Sequence, residues 1–289
     1  ESMLGRRDKA KRADYCRSTL SLAAQHLAND AMHIAHGRMM AASLAHNPRH
    51  FRLLGDDDLQ LLPAHRWLVK GIIPESGIGT IFGQSGTFKS FLALDLTAHV
   101  SNGQPWFGRR VNAAPAVYVP FEGQGGIPKR VAAWRLLRDH QGYAATTNMR
   151  FITEPMNLRQ QAHRDKLVAT LIDNGWAGGV LCIDTLAQAG PGIDENTSQG
   201  MGEMIAIFQE LQLRLGGVVL VVHHSGKSEK AGMRGWSGLL GALDFAVRCW
   251  RDDDWAWFEG QFVLDKVKDG EAGHVEEAEE LVVPVEGAQ

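Results

Sequence analysis

The sequence predicts an α/β fold, a mostly parallel sheet with helices on both faces and antiparallel strands at its C-terminal edge. Three observations point there. Short apolar runs recur at 78–82, 116–121, 179–183 and 217–222. Helix-like segments separate them, at roughly 89–101, 126–140, 161–174 and 199–215. The runs are apolar throughout rather than alternating, as strands covered on both faces are.

Residues 1–50 precede this alternation and differ from it. They are rich in Ala, Leu, Met and His, and Arg6, Arg7, Lys9, Lys11, Arg12 and Arg17 make their start basic. The pattern predicts a small helical segment ending near Asn47-Pro48. Residues 51–77 read as a connector, punctuated by Asp56-Asp57-Asp58, Pro63, Gly71, Pro74 and Gly77. The α/β core then occupies 78–270. Beyond 242 the pattern turns to strands at about 244–250, 255–259 and 261–267, which predicts antiparallel pairing. The tail 271–289 carries six Glu and no Lys or Arg, and reads as a solvated acidic end. Within it, Leu281-Val282-Val283 is a further edge-strand candidate.

The bulk numbers fit one large domain with a small appendage: 289 residues, 44% hydrophobic and 22% charged. A formal net charge of -3 excludes a uniformly basic nucleic-acid binder but leaves room for a local basic surface. Cys16, Cys182 and Cys249 are few and widely spaced. Cys182 lies inside an apolar run and reads as a small buried hydrophobe, which fits a reducing cytoplasm. The sequence contains no apolar run of membrane-spanning length, so no membrane partner is expected.

The first chemical motif is Gly83-Gln84-Ser85-Gly86-Thr87-Phe88-Lys89-Ser90. It joins a strand to a helix start, where backbone N–H groups and the helix dipole converge on phosphate oxygens. Lys89 would reach the β- and γ-phosphates of ATP, and Ser90 would set its hydroxyl on Mg²⁺. Gly83, Ser85, Gly86, Thr87, Phe88, Lys89 and Ser90, with Phe91 next in the helix, form the candidate nucleotide-binding set. The usual pattern, G-x-x-x-x-G-K-[ST], has Gly where this chain has Phe88; Gly86 is expected to supply part of the missing backbone freedom.

Two carboxylates end apolar strands downstream. Asp184, after Val180-Leu181-Cys182-Ile183, is placed to hold a Mg²⁺ water shell, or else to cap the following turn. Glu122, after Val117-Tyr118-Val119-Pro120-Phe121, is placed to orient and deprotonate an attacking water, or else to face solvent. His223 and His224 end a third strand. Adjacent strand residues face opposite ways, so the pair suits γ-phosphate sensing by one ring better than a shared metal.

In order along the chain, several segments resemble the RecA-like replicative helicases of the plasmid RepA type and their phage and prophage relatives. They are residues 83–90, Val117 to Glu122, Cys182-Ile183-Asp184-Thr185-Leu186, Asp194-Glu195-Asn196, Val221 to Lys227, and Arg234-Gly235-Trp236-Ser237. The resemblance implies a RecA-like P-loop core and a homo-hexameric ring with ATP between subunits. It implies Lys89 and Ser90 as the Walker-A pair, Glu122 as catalytic glutamate, Asp184 as Walker-B aspartate, and His224 or His223 as sensor. The family sends a basic residue into the neighbour's site from a late strand. Lys266 and Lys268 occupy that region here, and Arg234 is the rival. The resemblance also implies single-stranded DNA as partner, with a replication initiator or primase.

Residues 225–235 follow a central strand and carry Lys227, Lys230 and Arg234 without helix or strand pattern. In RecA-like rings such a loop faces the channel, and these cations would meet DNA phosphates without regard to sequence, or else the loop is simply solvated.

Overall fold

The computed structural model describes residues 53–60, 65–140, 148–195, 197–224, 237–250, 259–268 and 281–282. The helical segment expected in 1–50, the loop cations Lys227, Lys230 and Arg234, and all of the acidic tail but 281–282 lie outside the described residues.

In chain order the elements are α1 (Asp56–Gln60), β1 (Trp67–Val69), β2 (Ile73–Pro74), β3 (Gly77–Gly83), α2 (Lys89–Asn102), β4 (Ala116–Pro120), α3 (Ile127–His140) and β5 (Arg150–Phe151). There follow α4 (Gln161–Asp173), β6 (Val180–Asp184), α5 (Leu186–Ala189), α6 (Ser198–Leu215) and β7 (Val218–His224). The last are α7 (Ser237–Ala242), β8 (Phe245–Trp250), β9 (Glu259–Val267) and β10 (Leu281–Val282).

Among the described residues the main sheet has the order β10-β9-β8-β3-β7-β6-β4-β5. The six strands from β8 to β5 run parallel. β9 and β10 add antiparallel pairs at one edge. This is the RecA-like arrangement: the glycine-loop strand β3 lies inside the sheet, and β7 separates it from the Asp184 strand β6.

The apolar runs form strands because helices cover both faces. On β6, Val180 and Cys182 face one core layer while Leu181 and Ile183 face the other. The first layer holds α2, through Leu92, Leu96 and Val100, and α3, through Ile127 and Trp134. The second holds α4 and α6, through Leu167, Leu171, Met204, Phe208 and Leu211. Helix α2 is buried along most of its length, which suits a helix whose first turn must be held still. Thr197 caps α6, its hydroxyl accepting from Gly200 N at 3.1 Å. Cys182 and Cys249 are free and buried. No helix among the described residues is long and apolar enough to cross a membrane.

Two expectations are corrected. Residues 67–74, read as connector, form a small antiparallel sheet whose Leu68, Val69, Ile72 and Ile73 are buried in the first core layer. Strands of two and three residues are too short to show a period in sequence. The strand expected at 261–267 is part of β9, Glu259–Val267, and the one expected at 255–259 lies, but for Glu259, outside the described residues. β8 is also not purely an antiparallel edge strand: it pairs parallel with β3 on one side and antiparallel with β9 on the other.

Candidate active site

The carboxyl ends of β3, β7, β6 and β4 gather the candidate residues at one edge of the sheet, where ligands of open α/β folds bind. The turn after β3 starts at Gly83. A Cβ there would fall 2.1 Å from the Cys249 carbonyl oxygen, so the loop can pass β8 only as glycine. Gly86 takes a left-handed φ of 83°. Phe88 does so as well, at φ 59° and ψ 17°, immediately before α2. Glycine is usual at that position for this reason. Gly86 thus supplies part of the backbone freedom, and Phe88 takes the left-handed conformation as well.

Lys89 is 4% exposed, and its ammonium donates to the Gln84 carbonyl and, at 3.4 Å, to the Thr87 hydroxyl. Thr87 closes the loop by donating to the Gln84 carbonyl at 2.8 Å. Burial lowers the Lys89 pKa, opposed by the nearby Cys249, Asp184 and Glu122. Phe91 meets Phe88 edge-on at 6.1 Å, and the Arg130 guanidinium lies over the Phe91 ring at 5.6 Å.

Asp184 is 1% exposed at the end of β6. Burial raises its pKa, while hydrogen bonds from Tyr118 and Ser90 pull it down. The Tyr118 hydroxyl donates to Asp184 Oδ2 at 2.5 Å and lies 3.3 Å from the Ser90 carbonyl. Burial in turn holds the Tyr118 phenol well above its ordinary range. Asp184 Oδ1 is buried and, among the described residues, has no hydrogen-bond partner. An acceptor oxygen so placed, beside a serine hydroxyl, is the oxygen chemistry a hard divalent cation takes. Ser90 and Asp184 therefore fit Mg²⁺.

Glu122 follows β4 and is exposed. The Thr185 hydroxyl donates to its Oε2 at 3.3 Å, and His224 Nε2 lies 3.9 Å from the same oxygen. The backbone ties the two strand ends together, since Phe121 N and Glu122 N both donate to the Asp184 carbonyl, at 2.6 and 3.2 Å.

The period of two along β7 separates the histidines. Val218, Leu220 and Val222 face the α2 layer, and His224 continues that set towards Glu122. Val219 and Val221 face the α4/α6 layer, and His223 continues theirs, with its Nδ1 3.5 Å from Glu195 Oε2. Burial, His224 and Lys89 lower the His223 pKa to about 4. Burial and Lys89 also lower that of His224, against the pull of Glu122 and Asp184.

Lys266 and Lys268 are not brought to this edge. β9 runs against β8, with Val267 opposite Phe245, so its end lies at the start of the parallel strands. Lys266 donates to the carbonyls of Leu240 and Gly241, and Lys268 pairs with Asp244 at 3.5 Å. Tyr118, Thr185, Arg130 and the Glu195–His223 contact were not singled out from sequence as site residues. Tyr118 carried a signal, because a phenol inside an apolar strand needs a polar partner. Arg130 looks like any surface cation of an amphipathic helix.

Among solved structures the chain is similar to a KaiC-like protein from the hyperthermophilic archaeon Pyrococcus horikoshii OT3. The identity is 11%, the TM-score 0.47, and the match covers 74% of this chain and 87% of that one. No match is found among curated proteins. The AAA domain family matches residues 45–230, a span that takes in the phosphate loop, Glu122, Asp184 and both histidines. The chain belongs to the AAA domain family of ATPases.

Proposed function

We propose that the protein is an ATP-driven nucleic-acid motor, a ring-shaped replicative DNA helicase of a mobile element. The observation that carries this reading is the convergence of Lys89, Ser90, Asp184, Glu122 and His224 on one sheet edge. Lys89 exchanges its loop carbonyl for phosphate oxygens and neutralises charge on the transferring phosphoryl group. Glu122, exposed and held by Thr185, orients water and takes its proton. His224 stands beside Glu122 to report the γ-phosphate. Ser90 and Asp184 would hold Mg²⁺, which would supply Lewis-acid neutralisation of the phosphate oxygens. Lys266 and Lys268 would serve a neighbouring subunit's site. Lys227, Lys230 and Arg234 would hold single-stranded DNA.

The test is ATP turnover followed by strand displacement. Lys89→Ala and Glu122→Gln are each expected to lower kcat by at least about 100-fold. Glu122→Gln at the wild-type rate would remove Glu122 as the base. Wild-type protein that hydrolyses ATP yet displaces no strand would remove the helicase and leave a second reading, an ATP-dependent scaffold or helicase loader. The own-chain contacts of Lys266 and Lys268 favour that second reading, because a lysine held at home is not free to complete a neighbour's site.

A further inference from the structure

Asp194 and Glu195, from the Asp194-Glu195-Asn196 motif, have been given no role in hydrolysis. Their loop, between α5 and α6, is fastened at its base. Arg159 donates to the Pro191 carbonyl at 3.3 Å and pairs with Glu203 at 2.7 Å. Thr197 N donates to the Asp194 carbonyl at 3.2 Å. Gly200 permits the close approach, since a Cβ there would lie 2.3 Å from the Asp194 oxygen. From this base Glu195 reaches His223, with side chains 24% and 4% exposed.

His223 is bonded to His224, and the two rings act on opposite faces of one strand end. His224 meets Glu122 on the α2 side, and His223 meets Glu195 on the α4/α6 side. Any turn of this strand end about its axis moves both rings together. A carboxylate beside Nδ1 favours the tautomer with its proton there, and so fixes the ring. We infer that Glu195 is a positioning residue: by holding His223 it fixes the end of β7 and keeps His224 against Glu122. The inference rests on the reading of Glu122 and His224 as hydrolytic residues. Glu195 itself touches none of the reacting groups.

The test uses the full chain. kcat and KM for ATP are measured for wild type, Glu195→Ala, His223→Ala and the double variant. Nitrogen-15 spectra of the histidine rings are recorded for wild type and Glu195→Ala. Glu195→Ala is expected to lower kcat about tenfold with KM within about twofold, as loss of orientation does. The double variant should be no slower than His223→Ala alone, because the two residues act in series. The His224 ring signals should move in Glu195→Ala. Independent, multiplicative losses, an unchanged kcat, or a loss carried wholly by KM would overturn the inference. Should Glu195→Ala not fold, Glu195→Gln takes its place under the same criteria, with a smaller loss because the amide keeps a polar oxygen beside Nδ1. If wild-type protein hydrolyses no ATP, the hydrolytic reading fails on its own. The spectra then decide alone: moved His224 signals support the positioning role, and unmoved ones overturn it.

Discussion

Phe88 holds the left-handed conformation within the folded chain, with φ 59°. A non-glycine residue there costs about 1–3 kcal/mol, and the fold bears that cost rather than the act of binding. Phe88→Gly removes the strain but also the Phe91 contact, while Phe88→Ala removes the contact and keeps the strain. Urea denaturation should therefore find Phe88→Gly more stable than Phe88→Ala by about 1 kcal/mol. Because the fold bears the strain, MgATP affinity of Phe88→Gly should stay within about threefold of wild type. An alanine variant as stable as the glycine one would refute the strain argument. His223 gives a second prediction at this scale. Its unfolded pKa of 6.5 falls to about 4 in the fold, so between those values the unfolded chain binds the extra proton. The stabilisation is complete above pH 6.5 and is lost as pH falls towards about 4, in all about 3 kcal/mol. Glu195, raised by burial and by Asp194, opposes part of this loss as it takes up a proton. Chemical denaturation of wild type and His223→Asn across this window measures the difference, and parallel curves would contradict it.

Among elements, β4 and β6 are joined by the Tyr118 hydroxyl as well as by their ladder. Tyr118→Phe strips Asp184 of one donor and lets burial push its carboxyl further up. The Mg²⁺ concentration for half-maximal turnover should rise about tenfold, with little change in the ATP KM at saturating Mg²⁺. An unchanged Mg²⁺ dependence would show that Tyr118 only packs. Helices α2 and α3 are likewise fastened by Asp95, which accepts from the Trp106 and Trp134 indoles at 3.0 and 2.8 Å. The long elements were legible in sequence because each has its own period: continuous apolar strands, amphipathic helices, and a glycine turn between β3 and α2. Parity along β7 even separates His223 from His224 once the buried face is known. What sequence lacked was that face. Which side of the sheet α2 covers is a property of packing, and it alone decides that Tyr118 meets Asp184 and His224 meets Glu122. The short strands β1 and β2 had no period to read, and the four buried apolar residues in and between them passed for linker.

At the scale of the molecule, the phosphate loop and the lysine pair stand at opposite ends of the parallel strands. A chain built so cannot bring Lys266 or Lys268 to its own Lys89, so any service they give is to a neighbour. Lys266→Ala combined with Lys268→Ala should then complement Lys89→Ala. Each is inactive alone, and a mixture should recover turnover at about a quarter of its interfaces by random pairing. No recovery in mixed assemblies would place the lysines outside the reaction.

The place of β7 between β3 and β6 has a further consequence. The strand that launches the phosphate loop and the strand that ends in Asp184 are two lateral spacings apart, about 10 Å. Backbone hydrogen bonds set that width, not side chains. The cleft thus has a fixed gauge: substitutions in the strand interiors can soften its walls, but only gaining or losing a whole strand would change what fits between them.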